Sequence, residues 1–238
     1  MPTMQSLSVD LIFADPPFNI GFKYDGYNDN LSTPDYLKWS RLWIYECSRI
    51  LKNTGSMWLA IGDEYVAELN CIMKSFGLKQ RNWVIWYYTF GVHQKTKFTR
   101  SHAHLLHFTK SDVSTFNRPL VPSARAVKYS DRRAAAGGKT PDDVWAFSPT
   151  DFDPDSDCWK YSRLCGTFKE RTGHPCQMPQ EILDKIIKVS SNPGDLVFDP
   201  FAGSGTTLKS AKDLGRRFMG IEQSEKYFNM VKERLNDC

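Results

Sequence analysis

The sequence predicts an α/β fold, a mostly parallel twisted sheet with helices on both faces. Three observations carry this expectation. Short apolar, β-branched runs alternate with amphipathic helical segments in the first hundred and the last sixty residues. Two of the strand-like runs end at sharp loops, Asp15-Pro16-Pro17-Phe18 and Pro200-Phe-Ala-Gly203-Ser-Gly205. Thr109 to Cys165, by contrast, has no clear hydrophobic period and many turn formers, and reads as an insertion of loops and short elements.

Leu7 to Ala14 is a buried strand, stopped by the two prolines that follow Asp15. Pro34 to Leu51 places Tyr36, Leu37, Leu42, Trp43, Cys47, Ile50 and Leu51 at helical spacing. Asn53-Thr54-Gly55 then acts as a stop before a second strand, Ser56 to Ile61. Glu64 to Phe76 is helical with Gly77 as its C-cap, and Arg81 to Phe90 and His102 to Phe108 are strands. After the insertion come a helix from Pro179 to Val189, a strand from Asp195 to Asp199 and a helix from Thr206 to Leu214. A strand from Arg217 to Ile221 and a helix from Glu225 to Leu235 close the chain.

With 238 residues the chain is long enough for a sizeable core without a disulfide or metal staple. Its 41% hydrophobic and 24% charged content excludes a disordered or fibrous protein. No apolar run has the length a bilayer requires, and Met1 to Asp10 lacks the basic and apolar regions of a signal peptide. The six cysteines contain no CxxC pair, the pattern of reduced thiols in a cytoplasmic protein.

The net charge of +4 is unevenly distributed. Between His93 and Lys139 stand ten basic residues and two acids, so that window carries +8 and the remainder −4. Phe98, Phe108, Phe116 and Tyr129 are interleaved there, the make-up of a polyanion-facing surface. A solvated basic face with no partner has the same composition.

Leu196-Val-Phe-Asp199-Pro-Phe-Ala-Gly203-Ser-Gly205-Thr-Thr-Leu208 reads as a strand, a glycine turn and a helix start. The glycines allow close backbone approach to a ligand, and the N–H groups at the Thr206 end can hold an anionic group. Glu222 follows Gly203 by 19 positions at the end of the next strand, where a carboxylate can accept hydrogen bonds from ribose hydroxyls. Leu208 stands where a third glycine would complete a dinucleotide fingerprint, which favours another adenosine-bearing ligand over a nicotinamide cofactor.

Asp15-Pro16-Pro17-Phe18 follows a parallel strand at its carboxyl end, the usual ligand side of such sheets. It offers a carboxylate, a Pro16 carbonyl held by the next proline, and an aromatic face. Two acceptors converging on one point suit a substrate that donates two hydrogens, an exocyclic NH2, and Phe18 can stack a base taken out of a helix. A plain strand-ending turn is the alternative.

Taken together, Asp15-Pro-Pro-Phe18 and Phe198-Asp-Pro-Phe-Ala-Gly-Ser-Gly-Thr-Thr207 resemble the amino-group DNA methyltransferases, which transfer a methyl group from S-adenosylmethionine to adenine N6 or cytosine N4. The catalytic loop precedes the cofactor loop, an order similar to the circularly permuted β group. Thr172-Gly-His174-Pro-Cys-Gln177-Met-Pro179 matches the element before the glycine loop, with Met178 where relatives often carry lysine. The resemblance covers roughly residues 7–110 and 165–235.

The resemblance implies a Rossmann-like methyltransferase fold in a single domain, 1–238. Its catalytic half would be 7–110, its target-recognition insertion 111–165 and its cofactor half 166–238. It implies catalysis by Asp15, Pro16, Pro17 and Phe18 without a metal. S-adenosylmethionine would be held by Asp15, His174, Gln177, Asp199, Phe201, Ala202, Gly203, Gly205, Thr206, Thr207 and Glu222. DNA would be contacted by Lys95, Lys97, Arg100, Arg125, Lys128, Arg132 and Arg133. A homodimer and a cognate restriction endonuclease are compatible further partners. In the family an aspartate at the first loop position is mostly associated with adenine, so Asp15 favours N6 over N4 of cytosine.

Rival readings are weaker on specific residues. Pro175-Cys176-Gln177 is similar to the nucleophile loop of C5-cytosine methyltransferases, but Cys176 precedes a helix on the cofactor side and reads as an incidental small residue. Asp151-Phe-Asp153-Pro-Asp155-Ser-Asp157 lacks the glycine and glutamate of a calcium loop. Gly137-Gly-Lys-Thr140 lacks the spacing of a phosphate loop. No ligating carboxylate stands at metal spacing beside His102, His104 and His107. A protein-glutamine methyltransferase would usually carry asparagine at the first loop position and need no basic insertion. A catalytically silent cofactor-binding module is disfavoured by the intact Asp15 and glycine loops.

Overall fold

The computed structural model describes residues 1–88, 94–121, 132–133, 137–147, 172 and 176–236. Nine strands and five helices are present among them. The strands are β1 (Val9–Ala14), β2 (Lys23–Tyr24), β3 (Tyr27–Asn28), β4 (Leu51–Ile61), β5 (Lys79–Tyr88), β6 (His102–Thr109), β7 (Val144–Phe147), β8 (Leu196–Asp199) and β9 (Arg217–Gly220). The helices are α1 (Thr33–Ile50), α2 (Val66–Ser75), α3 (Gln180–Ser190), α4 (Thr206–Asp213) and α5 (Glu225–Asn236).

Seven strands form one sheet in the order β7-β5-β6-β4-β1-β8-β9. β1 pairs in parallel with β4 and β8, β8 with β9, and β5 with β7, whereas β6 is antiparallel to both β4 and β5. The sheet is therefore mostly parallel, as expected, with β6 reversed. β5 and β6 follow one another in the chain and pair directly with each other, the antiparallel arrangement of consecutive strands.

Each face of the sheet buries a separate cluster. Val9, Ile12, Leu59, Phe108 and Phe198 pack under α1 and α2, contributing Ile44, Cys47, Leu69 and Met73. Leu11, Phe13, Trp58, Leu105 and Val197 face α3, which contributes Ile182, Leu183, Ile186 and Ile187. From Leu11 to Ala14, past the irregularity between Val9 and Leu11, the apolar positions of β1 alternate between these two clusters because successive strand side chains point to opposite faces, and a stretch covered on both faces is continuously apolar.

One local expectation changes, and two features come into view that the sequence did not specify. β4 begins at Leu51, directly after α1, and the expected Asn53-Thr54-Gly55 stop is an irregularity inside the strand: Val9 pairs with Leu51 but Leu11 with Ser56. A Cβ on Gly55 would lie 2.9 Å from the Asp10 carbonyl, so the extra residues fold back only with glycine there. The insertion is not free of the sheet, because its Val144–Phe147 segment pairs with β5 as an edge strand. The β2–β3 hairpin, too short for a periodic signal, turns at Gly26, whose φ is 74°.

No helix among the described residues is long and apolar enough to cross a membrane.

Candidate active site

β1 and β8 lie side by side in the sheet, and their onward connections run in opposite directions, β1 through α1 to β4 and β8 through α4 to β9. Their carboxyl ends therefore flank a topological switch point, where the departing chains leave a crevice. A cavity of about 480 Å³ opens there, lined by Asp15 to Phe18 from one strand end and Asp199 to Ser204 from the other.

The loop after β1 is held by buried partners. Asn19 takes a left-handed conformation with φ 57°, its side chain donates to the Leu31 carbonyl at 3.0 Å, and its side-chain oxygen accepts from the Leu31 amide at 2.7 Å. Asp29, 2% exposed, accepts from the amides of Asn19, Ile20 and Phe22 at 2.7, 3.2 and 2.9 Å. The fully buried Tyr36 donates its hydroxyl to the Pro17 carbonyl at 2.8 Å. The hairpin carries Tyr24 and Tyr27 over the cavity and is pinned to the opposite wall, with the Ser224 hydroxyl donating to Asp25 at 2.6 Å and Gln223 to the Gly26 carbonyl at 3.2 Å.

The glycine loop is equally specific. Gly203 and Gly205 have φ of 50° and 73°, and Gly205 caps α4 in the left-handed region. A Cβ on Gly205 would lie 3.0 Å from Val231 of α5. Asp199 accepts from the Phe201 amide at 2.9 Å and from the Thr207 side chain. Thr206 receives Arg234 at 3.0 Å and shares a hydrogen bond with Ser204 at 2.9 Å, so both threonine hydroxyls brace the loop. Phe201 packs on Trp39 and Trp43, with ring centroids 5.7 and 5.2 Å away.

Glu222 accepts from the Gly203 amide at 2.8 Å and from the Ser224 amide at 2.9 Å. Each oxygen retains a second lone pair, and Glu222 lines the cavity, so it remains able to receive hydroxyls there. The Gly203 amide is taken by Glu222 and so does not face a ligand anion. Asp15, Asp25, Asp199 and Glu222 all line the cavity, and among its described lining residues there is no lysine or arginine.

This electrostatic character appears in the titration of the two central carboxyls. Desolvation, and secondarily the Asp199 charge, pushes Asp15 up from 3.8 to about 8. Desolvation raises Asp199 to about 6, against the lowering effect of its Thr207 and Phe201 hydrogen bonds. A cavity whose empty form penalises two negative charges fits a ligand with a positive centre, a requirement that a sulfonium meets.

The remaining expected residues are distributed unevenly. Gln177 lines the cavity and accepts from the Thr172 amide and hydroxyl at 2.9 and 3.0 Å. Cys176 is exposed on the same wall, 3.7 Å from the Tyr24 hydroxyl. His174, Arg125 and Lys128 lie outside the described residues, as does the acidic Asp151–Asp157 stretch. Lys95, Lys97, Arg132 and Arg133 are exposed. Arg100 has its charge engaged, 2.8 Å from Asp63 and paired with Glu64.

Sequence reasoning missed Asp63, which the fold brings to His102 and His104 at 3.2 and 2.9 Å from a distance of some forty residues. This cluster is not arranged for a metal. The Trp83 indole N–H donates to His104 Nδ1 at 2.9 Å, which forces the proton onto Nε2, and that nitrogen faces Asp63 as a donor. Lys139 of the Gly-Gly-Lys-Thr stretch pairs with Asp142 at 2.8 Å and serves a local turn.

Fold, switch-point cavity and acidic glycine loop together define the class of Rossmann-like enzymes that bind an adenosine cofactor with a cationic centre. The chain belongs to the N6/N4 amino-group DNA methylase family: the family model described as DNA methylase (N6_N4_Mtase) matches residues 9–233. It is 35% identical over 240 residues to the type II methyltransferase M.HpaI of Haemophilus parainfluenzae, covering 99% of this chain and 71% of that one. It is 36% identical over 233 residues to the DNA adenine methyltransferase YhdJ of Escherichia coli (strain K12), covering 96% and 76%. With the type II methyltransferase M.BglII of Bacillus subtilis it shares 32% over 251 residues, 96% of this chain but 64% of that one. Among solved structures, the cytosine-N4-specific PvuII DNA methyltransferase superposes with a TM-score of 0.71 at 17% identity, covering 100% and 83%. The M1.HpyAVI–SAM complex does so at 0.64 and 24%, covering 97% and 90%. These last two likenesses concern the fold alone.

The family is S-adenosylmethionine-dependent and its members methylate DNA. The described residues fit that cofactor, with carboxyls for its cationic sulfur and Glu222 and Asp199 beside the glycine turn.

Proposed function

We propose that this protein methylates N6 of adenine in DNA. The observation that carries the reading is the placement of Asp15, a half-buried carboxyl at the switch point, with the Pro16 carbonyl beside it and Phe18 lining the same cavity. An exocyclic amino nitrogen is a poor nucleophile because its lone pair is delocalised into the ring. Hydrogen bonds donated by the NH2 to Asp15 and to the Pro16 carbonyl favour a tetrahedral nitrogen as the bond to the methyl carbon forms. When bound, the cofactor supplies an electrophilic methyl group. The protein aligns the two partners, and no covalent enzyme intermediate is needed. The target leaves the duplex to reach the cavity, and Phe18 offers the face on which it stacks.

In this reading Asp15, Pro16, Pro17 and Phe18 act on the base. The cofactor is held by Gln177, Asp199, Phe201, Ala202, Gly203, Gly205, Glu222 and, beyond the described residues, His174, with Thr206 and Thr207 bracing its loop. Lys95, Lys97, Arg132 and Arg133 meet phosphates, and the 111–165 insertion recognises the target sequence. The adenine assignment is supported by an aspartate at the first loop position and by the name of the YhdJ relative. A cytoplasmic site of action follows from the substrate, and a homodimer and a cognate endonuclease belong to the same reading.

Nucleoside mass spectrometry of mixed-sequence DNA incubated with the protein and S-adenosylmethionine tests it. N6-methyladenosine is the expected product. N4-methylcytosine would overturn the base assignment, and no methylated base, with cofactor binding demonstrated, would overturn the activity.

A further inference from the structure

Phe98 is the one large apolar side chain among the described residues whose exposure is complete, at 101%. It follows Lys95 and Lys97 and precedes Arg100, in a stretch without acids whose residues 95–99 are all exposed. In the chain it lies between two strands with residues that line the cavity, Tyr88 at the end of β5 and Ala103 near the start of β6. An aromatic ring among cations is chemically matched to a polyanion with an apolar interior, the cations meeting phosphates and the ring a base.

The base of the connection is anchored. The Tyr88 amide donates to the Ser101 carbonyl at 2.8 Å, and the Tyr88 hydroxyl to the His102 carbonyl at 3.0 Å. Arg100 is clamped to Asp63 at 2.8 Å and to Glu64, and Asp63 is itself held by His102 and His104. A Cβ on Gly62 would lie 3.6 Å from the Arg100 guanidinium and 3.2 Å from the Phe18 ring, so the anchor stands beside the stacking residue. Phe98 stands two positions before Arg100, a reach of about 7 Å at most. The Asp63 cluster thus fixes the stem of the segment that carries Phe98, beside Phe18 of the cavity.

We propose that Phe98 enters the duplex and fills the space left by the extruded base. Extrusion breaks two stacking contacts and leaves a gap in the helix; an aromatic ring inserted there restores stacking on the neighbouring pairs and delays return of the base. The inference rests on the DNA-methyltransferase reading above and adds to it a residue acting on the duplex rather than on the reacting atoms.

The test compares wild type, Phe98→Ala and Phe98→Trp on two duplexes carrying the site mapped from the methylated positions in genomic DNA. In one the target is paired normally; in the other it faces an abasic position, where the partner strand already lacks a base and extrusion costs less. Phe98→Ala is expected to slow methylation of the paired target by roughly ten- to a hundred-fold, the range for removal of one base-stacking aromatic. On the abasic duplex the loss should shrink to within about three-fold, since little stacking is left to restore. Phe98→Trp should retain the wild-type pattern, and 2-aminopurine at the target should brighten with wild type but not with Phe98→Ala. Equal losses on both duplexes, or none on the paired one, would overturn the proposal. A wild-type protein that methylates neither duplex would instead overturn the function on which it rests.

Discussion

The Tyr36 hydroxyl donates to the Pro17 carbonyl at 2.8 Å, tying the middle of the Asp15–Phe18 loop to a fully buried side chain of α1. Proline cannot donate from its own nitrogen, so this loop has few backbone hydrogen bonds of its own and depends on such outside partners. The bond engages the carbonyl next to the one proposed to face the substrate, and so fixes its orientation. Tyr36→Phe is expected to cost about 1 kcal/mol of stability. It should also lower kcat while leaving S-adenosylmethionine affinity near wild type, as measured by thermal denaturation, steady-state kinetics and calorimetric titration.

Asp15→Ala should abolish methyl transfer while the folded protein still binds the cofactor. Asp15→Asn keeps the shape but presents an amide where a carboxylate should accept, and is expected to lose at least about a hundred-fold in kcat, the scale for removing one electrostatic stabiliser of a transition state. Single-turnover kinetics read the loss directly, and near-native rates for either variant would refute the catalytic assignment.

The acidic cavity makes the ligand-free protein sensitive to pH. Asp15 at about 8 and Asp199 at about 6 both lie above their ordinary 3.8. Between pH 4 and 8 the unfolded chain has released protons that the native state still holds. The contribution of these groups is complete at low pH and is lost as pH rises through 6 and then 8, so their part of the stability falls across that window and levels off above it. A cationic ligand reverses the preference and draws both carboxyls toward ionisation. Binding of S-adenosylmethionine at pH 7 is therefore expected to release protons, which calorimetry in buffers of different ionisation enthalpy detects; proton uptake would contradict the account.

Gly205→Ala places a Cβ in the left-handed region and 3.0 Å from Val231. The conformational penalty alone is about 1–2 kcal/mol. The expected result is a lower melting temperature together with weaker cofactor binding, because relief of the contact must shift either α5 or the glycine turn. An unchanged melting temperature would show that the turn does not need its left-handed geometry.

Much of this protein is legible in the order of its residues. The apolar runs ending at Asp15 and Asp199 mark the two strands that flank the switch point, since a strand buried on both faces must be continuously apolar. The two loops, with their prolines and glycines, carry backbone conformations few other residues adopt, and that is why they are recognisable without a structure. What stayed hidden depends on separation along the chain. Asp63 reaches His102 and His104 only because β4 and β6 pair, and no spacing rule connects them. The reversal of β6 and the edge strand Val144–Phe147 follow from which edges were left open to pair, not from their own sequences. The short β2–β3 hairpin has no periodicity to read, and its position over the cavity is decided by Asp25 and Gly26 meeting Ser224 and Gln223 from the far end of the chain. Local residue chemistry therefore determined the elements and the two reactive loops. The acidity of the cavity and the clamping of Arg100 were decided by tertiary structure, because burial and charge proximity exist only once distant segments share one volume.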